Sequence, residues 1–493
     1  LPDALRNTEL NEFQWPPTGS EDVKRSLKIH AEGHREAPPP EDEILAIARE
    51  FLQAGYPSRK ANPQGYARLS ELFETKIASW RQPKMVEFGG AERVDGGAVF
   101  EESDGRQAFG DLRATFEVLL EKELDKVQST STPGFPWMLI HKTNKGFKTQ
   151  RVSRDLIKRE VIGRIERIMS EPRLYSRTPV ELVERGLCDP IRLFIKNEPH
   201  GARKLKSGKL RLISGVSIVD QLIDRILFSC QNELEISMWK DIPSQPGIGF
   251  SDEQQRHIAA WIEKIQALGR RLAATDISGW DWSVQFWELW CELQMRLDLA
   301  GSRASAYELL CTARFYMAMW KLFILPDGEL IAQTCAGIMA SGLYITSSSN
   351  SRLRLFVRAV AYLLWCKRNG VEPDPEEVLR AKAMGDDCLE ADLHDSIYET
   401  ILAELGHDTK MTEYTSTLEG SEFCSHTWWK DGLARPVNYQ KMLFRFANHA
   451  TNSPLLVEMG VQLDYELRNM RGVGDSLIRQ VFDVQLGTSN YGN

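Results

Sequence analysis

Apolar residues recur at helical spacing through Ile44, Leu45, Ile47, Ala48, Phe51 and Leu52, which predicts an amphipathic helix. Pro40 suits its first turn, Glu41, Asp42 and Glu43 suit the positive end of its dipole, and Gly55 stops it. Residues 1–40 are polar and end in Pro38-Pro39-Pro40, which reads as an extended lead-in. From about 110 to 235 the pattern is mostly helical, broken by the turn-rich stretch Ser129 to Pro136. A second helical block runs from Asp252 to Leu268. Arg271 to Asp276 reads as a short strand and Trp287 to Leu297 as a helix. Strands at 379–384 and 388–391 flank Gly385-Asp386-Asp387 as a hairpin. Residues 431–493 read as helical, with a polar tail after Leu486. No internal repeat is visible. Helices and short strands mix without a βαβ period, so an α+β fold fits better than a doubly wound sheet.

Composition adds limits. The 493 residues are enough for about three domain-sized units. A net charge of −8 means that the surface as a whole does not attract nucleic acid, so any polyanion site must be a local basic groove. The eight Cys are scattered singly without a CxxC pair, which indicates neither a zinc site nor a disulfide framework and favours a reducing compartment. The apolar run from Leu355 to Cys366 is interrupted by Arg358 and is too short to span a bilayer. No secretory signal is present, and the start at Leu1 is consistent with release from a longer precursor or with trimming.

Candidate chemistry centres on the Asp386-Asp387 turn. Adjacent carboxylates repel, and a divalent cation relieves them. Alone, the tripeptide reads equally as a solvated turn. Asp276, at the end of a predicted strand, could face it, giving three carboxylates for two ions about 4 Å apart. In Ser341-Gly342-Leu343-Tyr344-Ile345-Thr346-Ser347-Ser348-Ser349-Asn350, Gly342 lets a loop enter a helix closely under a ligand. Thr346 and Asn350 share a helix face and, with Asp281, could read a ribose 2′-hydroxyl. The plainer alternative is a Ser/Thr-rich helix start. Cations crowd between Arg192 and Arg211, including Lys196, Arg203, Lys204, Lys206 and Lys209, as a triphosphate cradle or a solvated loop. Lys142, Lys145, Lys148, Arg151 and Arg154 could track a nucleic-acid backbone.

These blocks, in order, resemble the RNA-dependent RNA polymerases of positive-strand RNA viruses. Thr132-Pro133-Gly134-Phe135-Pro136 resembles motif G, Lys196 to Ser214 motif F, and Asp276 to Asp281 motif A. Ser341 to Asn350 resembles motif B, Gly385 to Asp387 motif C, and Phe423-Cys424-Ser425 motif E. The wording of Ile195-Lys196-Asn197-Glu198-Pro199-His200 and of Ser278-Gly279-Trp280-Asp281-Trp282-Ser283 is similar to the sobemovirus and polerovirus-like group.

The resemblance implies a right hand whose palm is an antiparallel sheet carrying the metal site. Residues 1–100 would be an N-terminal extension contributing to the fingers, and 101–264 the fingers. Residues 265–290 would be palm, 291–330 a fingers/palm insertion, 331–430 palm again, and 431–493 thumb and tail. Asp276 and Asp386 would be the main ligands of two Mg²⁺ or Mn²⁺ ions, with Asp387 a secondary ligand or support. Asp281, Ser341, Thr346 and Asn350 would select the ribonucleotide, while Lys196 and Arg211 hold the triphosphate. The loop with Thr132, Gly134 and Pro136 would guide template, with Lys142, Arg203 and Lys204 on RNA. Lys410 is the candidate motif D cation that protonates pyrophosphate; a surface Lys after a helix is the plainer reading. The implied partners are RNA template and product, NTPs and other replication proteins, with initiation either de novo or from a genome-linked protein primer. The implied place is host cytoplasm, at membrane-attached replication complexes. A small thumb hints at an open channel.

Other signals are set aside. His30 and His34 lack the adjacent Glu of a zinc protease, and Gly474-Asp475-Ser476-Leu477 leaves no room for an esterase triad, so Asp475 reads as a helix cap. Trp280 and Trp282 could stack a base, yet core packing is the plainer use. A reverse transcriptase would share the carboxylates but would want a bulky wall at Asp281 and Asn350. A catalytically silent RNA-binding scaffold would have no physical reason to keep three carboxylates together.

Overall fold

The computed structural model describes residues 1–57, 117–301, 305–393, 395–470 and 472–487. Its central sheet is antiparallel and four-stranded, in the order Thr409–Thr415, Leu272–Ile277, Asp387–Ala391, Ala381–Met384. The strands lie close to where the sequence predicts them. The last hairpin differs by one residue: Asp387 pairs with Met384 inside the ladder, leaving Gly385 and Asp386 as its two-residue turn. Gly385 takes φ +62 at the first turn position, a conformation open to Gly at little cost.

Alternation along the strands separates two buried faces. Leu272, Leu389 and Ala391 meet Ile258, Ile262 and Ile265 of the helix Asp252–Ala267. Thr275 and Glu390 point the other way, toward the long helix Thr346–Asn369. That helix is buried almost all round, its serines and arginines included, and lies in the middle of the main core. Arg358, which interrupts its apolar run, is fully buried and pairs with Glu390 at 2.9 Å and Glu377 at 3.1 Å. Among the described residues no helix is long and apolar enough to cross a membrane.

Some expectations need refinement or correction. The stretch from 110 to 235, mostly helical as expected, is not without strands: between the helices Arg151–Ser170 and Ile218–Ser237 lie the strands Ile191–Ile195 and Leu212–Gly215. They pair antiparallel with each other in a second, mixed sheet, where Ile191–Ile195 also pairs parallel with Leu322–Ile324 and that strand pairs antiparallel with Leu330–Ala332. Ile191, Leu193 and Ile195 are buried at period two, a five-residue signal outweighed by its long helical neighbours.

Nor are residues 1–40 an extended lead-in. They include the helix Ser20–Glu32, which buries Val23 and Leu27, and the strand Phe13–Gln14, which pairs with His200–Gly201. Leu5 and Leu10 sit in a small core with Leu443, Phe444, Val481 and Phe482, from the C-terminal helices Tyr439–Ala447 and Asp475–Leu486. The N-terminus therefore ties the basic segment to the C-terminal lobe and enlarges that lobe. The helix Asp42–Gln53 is found as predicted. Asp475 is the first residue of its helix rather than the cap; its carboxylate accepts from the Gly472 N–H at 2.8 Å. The segment 58–116, which carries the rest of the N-terminal extension, and the polar tail 488–493 lie outside the described residues.

Candidate active site

The strand register assembles the carboxylates. Thr275 pairs with Cys388, so one step along the same ladder sets Asp276 beside Asp387. By alternation both leave the sheet on the face of Leu272 and Leu389. Asp386 stands at the turn tip, its surface open to solvent on one side while the surrounding chain displaces part of its hydration. Burial raises its carboxyl above the ordinary range, Asp276 adds to the rise, and the turn backbone and Arg211 oppose it. Burial likewise pushes Asp387 up to about 6, aided by Asp386, Glu422 and Asp276 against a hydrogen bond from the Cys424 backbone. Cys424 and Ser425 take φ +52 and +58 at the tip of the hairpin joining Glu422–Phe423 to His426–Trp428. Such left-handed non-Gly residues are strained, and here the strain aims a backbone N–H at Asp387. Among the described residues no three His, Cys, Asp or Glu side chains stand at ligand spacing. The set is gathered but not closed, and Asp276 Oδ2 is paired instead with Lys410 Nζ at 3.2 Å. Lys410 is exposed and lies where the register slips between Thr409 and Met411, at the start of its strand.

Asp281 and Asn350 do meet: Asn350 Nδ2 donates to Asp281 Oδ1 at 2.8 Å. Burial and then Asp386 push the Asp281 carboxyl up to about 6, against Asn350 and Arg211. The other two expected ribose readers are engaged with backbone. Ser341 Oγ accepts from Ser214 N at 3.0 Å, and Thr346 Oγ1 donates to Ala340 O at 2.6 Å. Gly342 is required, though not by a ligand: an added Cβ would fall 1.7 Å from Ser214 O, so the loop lies directly on the strand Leu212–Gly215. Ser348 and Ser349 turn inward to the buried Arg296 at 2.7 and 3.0 Å. The loop before them is pinned by Lys321, fully buried, which donates to Ala318 O, Gly337 O and Ile338 O. Met339 N then donates to Asp281 O at 2.8 Å, joining this loop to the Asp281 turn.

The basic segment gathers around one buried acid. Glu198 draws Lys196 and Lys441 to 3.5 Å, His200 to 3.4 Å and Arg211 to 4.0 Å. Burial works against the Glu198 charge, but Lys196, Lys441, Arg211 and His200 outweigh it and hold the carboxyl below its usual range. Lys204 is lowered by burial and by crowding from Lys209, Lys410 and Arg211, so these four cations share one wall. Arg211 is largely exposed, and its charge reaches both Asp386 and Asp281. The wall and the carboxylates therefore face one another.

The template-loop candidates are a separate group. Thr132 Oγ1 accepts from Gly134 N at 3.2 Å, and a Cβ on Gly134 would collide with Ser217 backbone at 2.8 Å. Ile218 N donates to Pro133 O at 2.8 Å, so this loop, with half-buried Pro136, is seated on the start of the helix Ile218–Ser237. Lys142 and Arg203 are exposed. Arg154 and Lys148 are not available to track RNA: Arg154 is bound to Glu121 and Asp125, and Lys148 donates to Val127 O and Ser129 Oγ. His30 and His34, set aside as metal ligands, instead donate from Nε2 to Leu210 O at 2.7 Å and from Nδ1 to Trp282 O at 2.6 Å, fastening the N-terminal segment beside the site.

A family model of viral RNA-directed RNA polymerases matches residues 140–429, a span that contains the carboxylates, the Asp281–Asn350 pair and the basic wall. The RNA-directed RNA polymerase of Mushroom bacilliform virus is 38% identical over 346 residues, covering 70% of this chain and 80% of that protein. The chain belongs to the viral RNA-directed RNA polymerase family. The replicase polyprotein P2AB of Southern bean mosaic virus is 34% identical over 456 residues, 90% of this chain and 41% of the polyprotein. Protein P1-P2 of Potato leafroll virus is 35% identical over 349 residues, 67% of this chain and 30% of that protein. This polymerase-family chain thus spans well under half of those two relatives, and the sobemovirus and polerovirus-like resemblance is borne out. Sequence reasoning missed Lys441, Lys321 and the organising part of Glu198. Only Glu198 had a local signal, a lone acid inside a run of cations.

Proposed function

We propose that this chain copies RNA into RNA, joining NTPs to an RNA 3′-hydroxyl in the replication of a positive-strand viral genome. The observation that carries the reading is the register that brings Asp276 beside Asp386-Asp387, with the Arg211 charge reaching Asp386. The donor set fits hard divalent ions in kind: oxygen only, with Asp276 beside Asp387 in the ladder and Asp386 at the adjoining turn, two of them raised by burial and mutual repulsion. Asp276, Asp386 and Asp387 would hold two Mg²⁺ or Mn²⁺ ions, which when bound acidify the attacking hydroxyl and offset charge on the triphosphate.

The chain's own residues do the rest by positioning. Arg211 and Lys196 bind the triphosphate, with Lys204 and Lys441 adding field from either side. Asp281 accepts from the ribose 2′-hydroxyl, which favours ribonucleotides and counts against a reverse transcriptase. Lys410, already 3.2 Å from Asp276, is placed to give a proton to the departing pyrophosphate. Ser341 and Thr346 act through the loop they shape. The loop of Thr132, Gly134 and Pro136, with Lys142 and Arg203, guides the template. In this reading 101–264 are fingers, 265–290 and 331–430 palm, and 431–493 thumb. Initiation, de novo or from a genome-linked protein primer, at membrane-attached replication complexes in host cytoplasm completes the proposal.

The test is nucleotide incorporation on an RNA template by the wild-type chain and by Asp386→Ala. Loss of incorporation with RNA binding retained supports the reading. Undiminished incorporation by the variant sinks it, and no incorporation by the wild type favours the silent scaffold.

A further inference from the structure

Asn350 has a side chain with two different ends, and its use depends on which end faces Asp281. Trp280 decides this. Its indole N–H can only donate, and it donates to Asn350 Oδ1 at 3.0 Å. The amide nitrogen must then face Asp281, where Nδ2 donates to Oδ1 at 2.8 Å. With the amide reversed, NH₂ would meet the indole N–H and the amide oxygen would meet the carboxylate. Both contacts would oppose like with like, and two hydrogen bonds, one buried and one partly buried, would be lost at once.

The indole is itself immobilised. Trp280 is 2% exposed, and its ring stacks on His407 with centroids 4.6 Å apart and planes 18° apart. His407 is fully buried between Ser283 Oγ at 2.8 Å and Glu288 Oε1 at 2.5 Å. Ser283 Oγ also donates to the Trp280 carbonyl at 2.8 Å. Gly279, at φ +57, turns the chain from the Leu272–Ile277 strand into the short helix Trp280–Ser283. Consecutive residues of that helix diverge by about 100°, so Trp280 enters the core while Asp281 faces Asn350 and Asp386. One Asn side chain is thus gripped by two successive residues, leaving Asp281 Oδ2 for a ribose hydroxyl.

We propose that Trp280 is a specificity-determining positioning residue, whose indole N–H orients the Asn350 amide and so presents Asp281 to the 2′-hydroxyl of the incoming nucleotide. The proposal rests on the polymerase reading above and adds to it a residue that touches neither nucleotide nor metal. It also gives the buried pair His407–Glu288 a purpose, as the platform under the indole.

The test compares GTP and dGTP incorporation on an RNA template by the full chain carrying Trp280→Phe, which keeps a large ring and removes the N–H. The ratio of kcat/KM for GTP over dGTP should fall about tenfold, the scale of one well-made hydrogen bond, through a higher KM for GTP. In an Asn350→Ala background, Trp280→Phe should change the ratio no further. Because Phe is smaller than Trp, benzothienylalanine placed at 280, with sulfur for N–H in the same outline, should lower the ratio too. A ratio unchanged within twofold in this isostere overturns the proposal, as does an equal loss for both nucleotides. If the wild-type chain incorporates neither nucleotide, the polymerase reading fails first and takes this proposal with it.

Discussion

Arg352→Met tests whether buried charge holds the Thr346–Asn369 helix, and with it Asn350, in place. Arg352 is fully buried and grips Glu292 in bidentate fashion, Nε to Oε2 and Nη2 to Oε1, both at 2.8 Å, while Nη1 binds Glu235. Glu292 also has Arg296 at 2.9 Å and Ser349 at 2.8 Å, so it keeps a cation when Arg352 is lost. Glu235 keeps only a contact from Gln231 at 3.3 Å among the described residues and becomes a stranded buried charge. Breaking such a pair from one side costs about 3–5 kcal/mol. Unfolding entropy grows by about 2.1 cal/mol/K per residue, so in one cooperative unit of this size each kcal/mol moves Tm by about 1 °C. Arg352→Met should lower Tm by about 3–5 °C in a thermal melt. Glu235→Gln, which leaves Arg352 its bidentate partner, should lower it by about 1 °C. The double variant should melt above Arg352→Met alone, because the stranded charge is gone. Equal losses for the two single variants, or a double variant as low as their sum, would refute the reasoning.

The raised acids at the turn should make metal binding pH-dependent. A carboxyl raised in the folded chain stabilises it while protonated, and that stability is lost as pH climbs from about 4 through the folded value. For Asp281 and Asp387 that value is about 6. The Tm increment from millimolar Mg²⁺ should therefore be small at pH 5 and several-fold larger at pH 7.5; an increment independent of pH would contradict the assigned site. Glu198→Gln removes the counter-charge that gathers Lys196, His200, Arg211 and Lys441. It should raise KM for NTPs by about threefold to tenfold with a smaller change in kcat, and steady-state kinetics at fixed ionic strength would show it.

Much of the candidate site's framework was legible because its signals are local. The strands around Asp276 and Asp387 are short apolar runs bounded by turn residues, and Thr346 and Asn350 announce their shared face by spacing alone. What escaped depends on partners far away in sequence. Leu5 and Leu10 look like isolated apolar residues in a polar stretch until Leu443 and Phe482 cover them. The N-terminus reaches the C-terminal lobe across 431 residues between Glu9 and Gln440, a separation no periodicity reports. Lys441 is an ordinary helical lysine until Glu198 meets it. The serines at 348 and 349 resemble ligand groups in sequence, yet they serve a buried arginine from another helix. Trp280 was correctly placed in the core by its size, but the use of its N–H required the position of Asn350.

The most direct measurement is single-nucleotide addition to an RNA primer on an RNA template, with Mg²⁺, by wild type and Asp386→Ala matched for RNA affinity. The account predicts extension by GTP opposite C in the wild type and loss of at least about a thousandfold in the variant, the scale of removing a group the reaction depends on. Extension by Asp386→Ala within tenfold of wild type would contradict the assignment of the turn as the centre of catalysis.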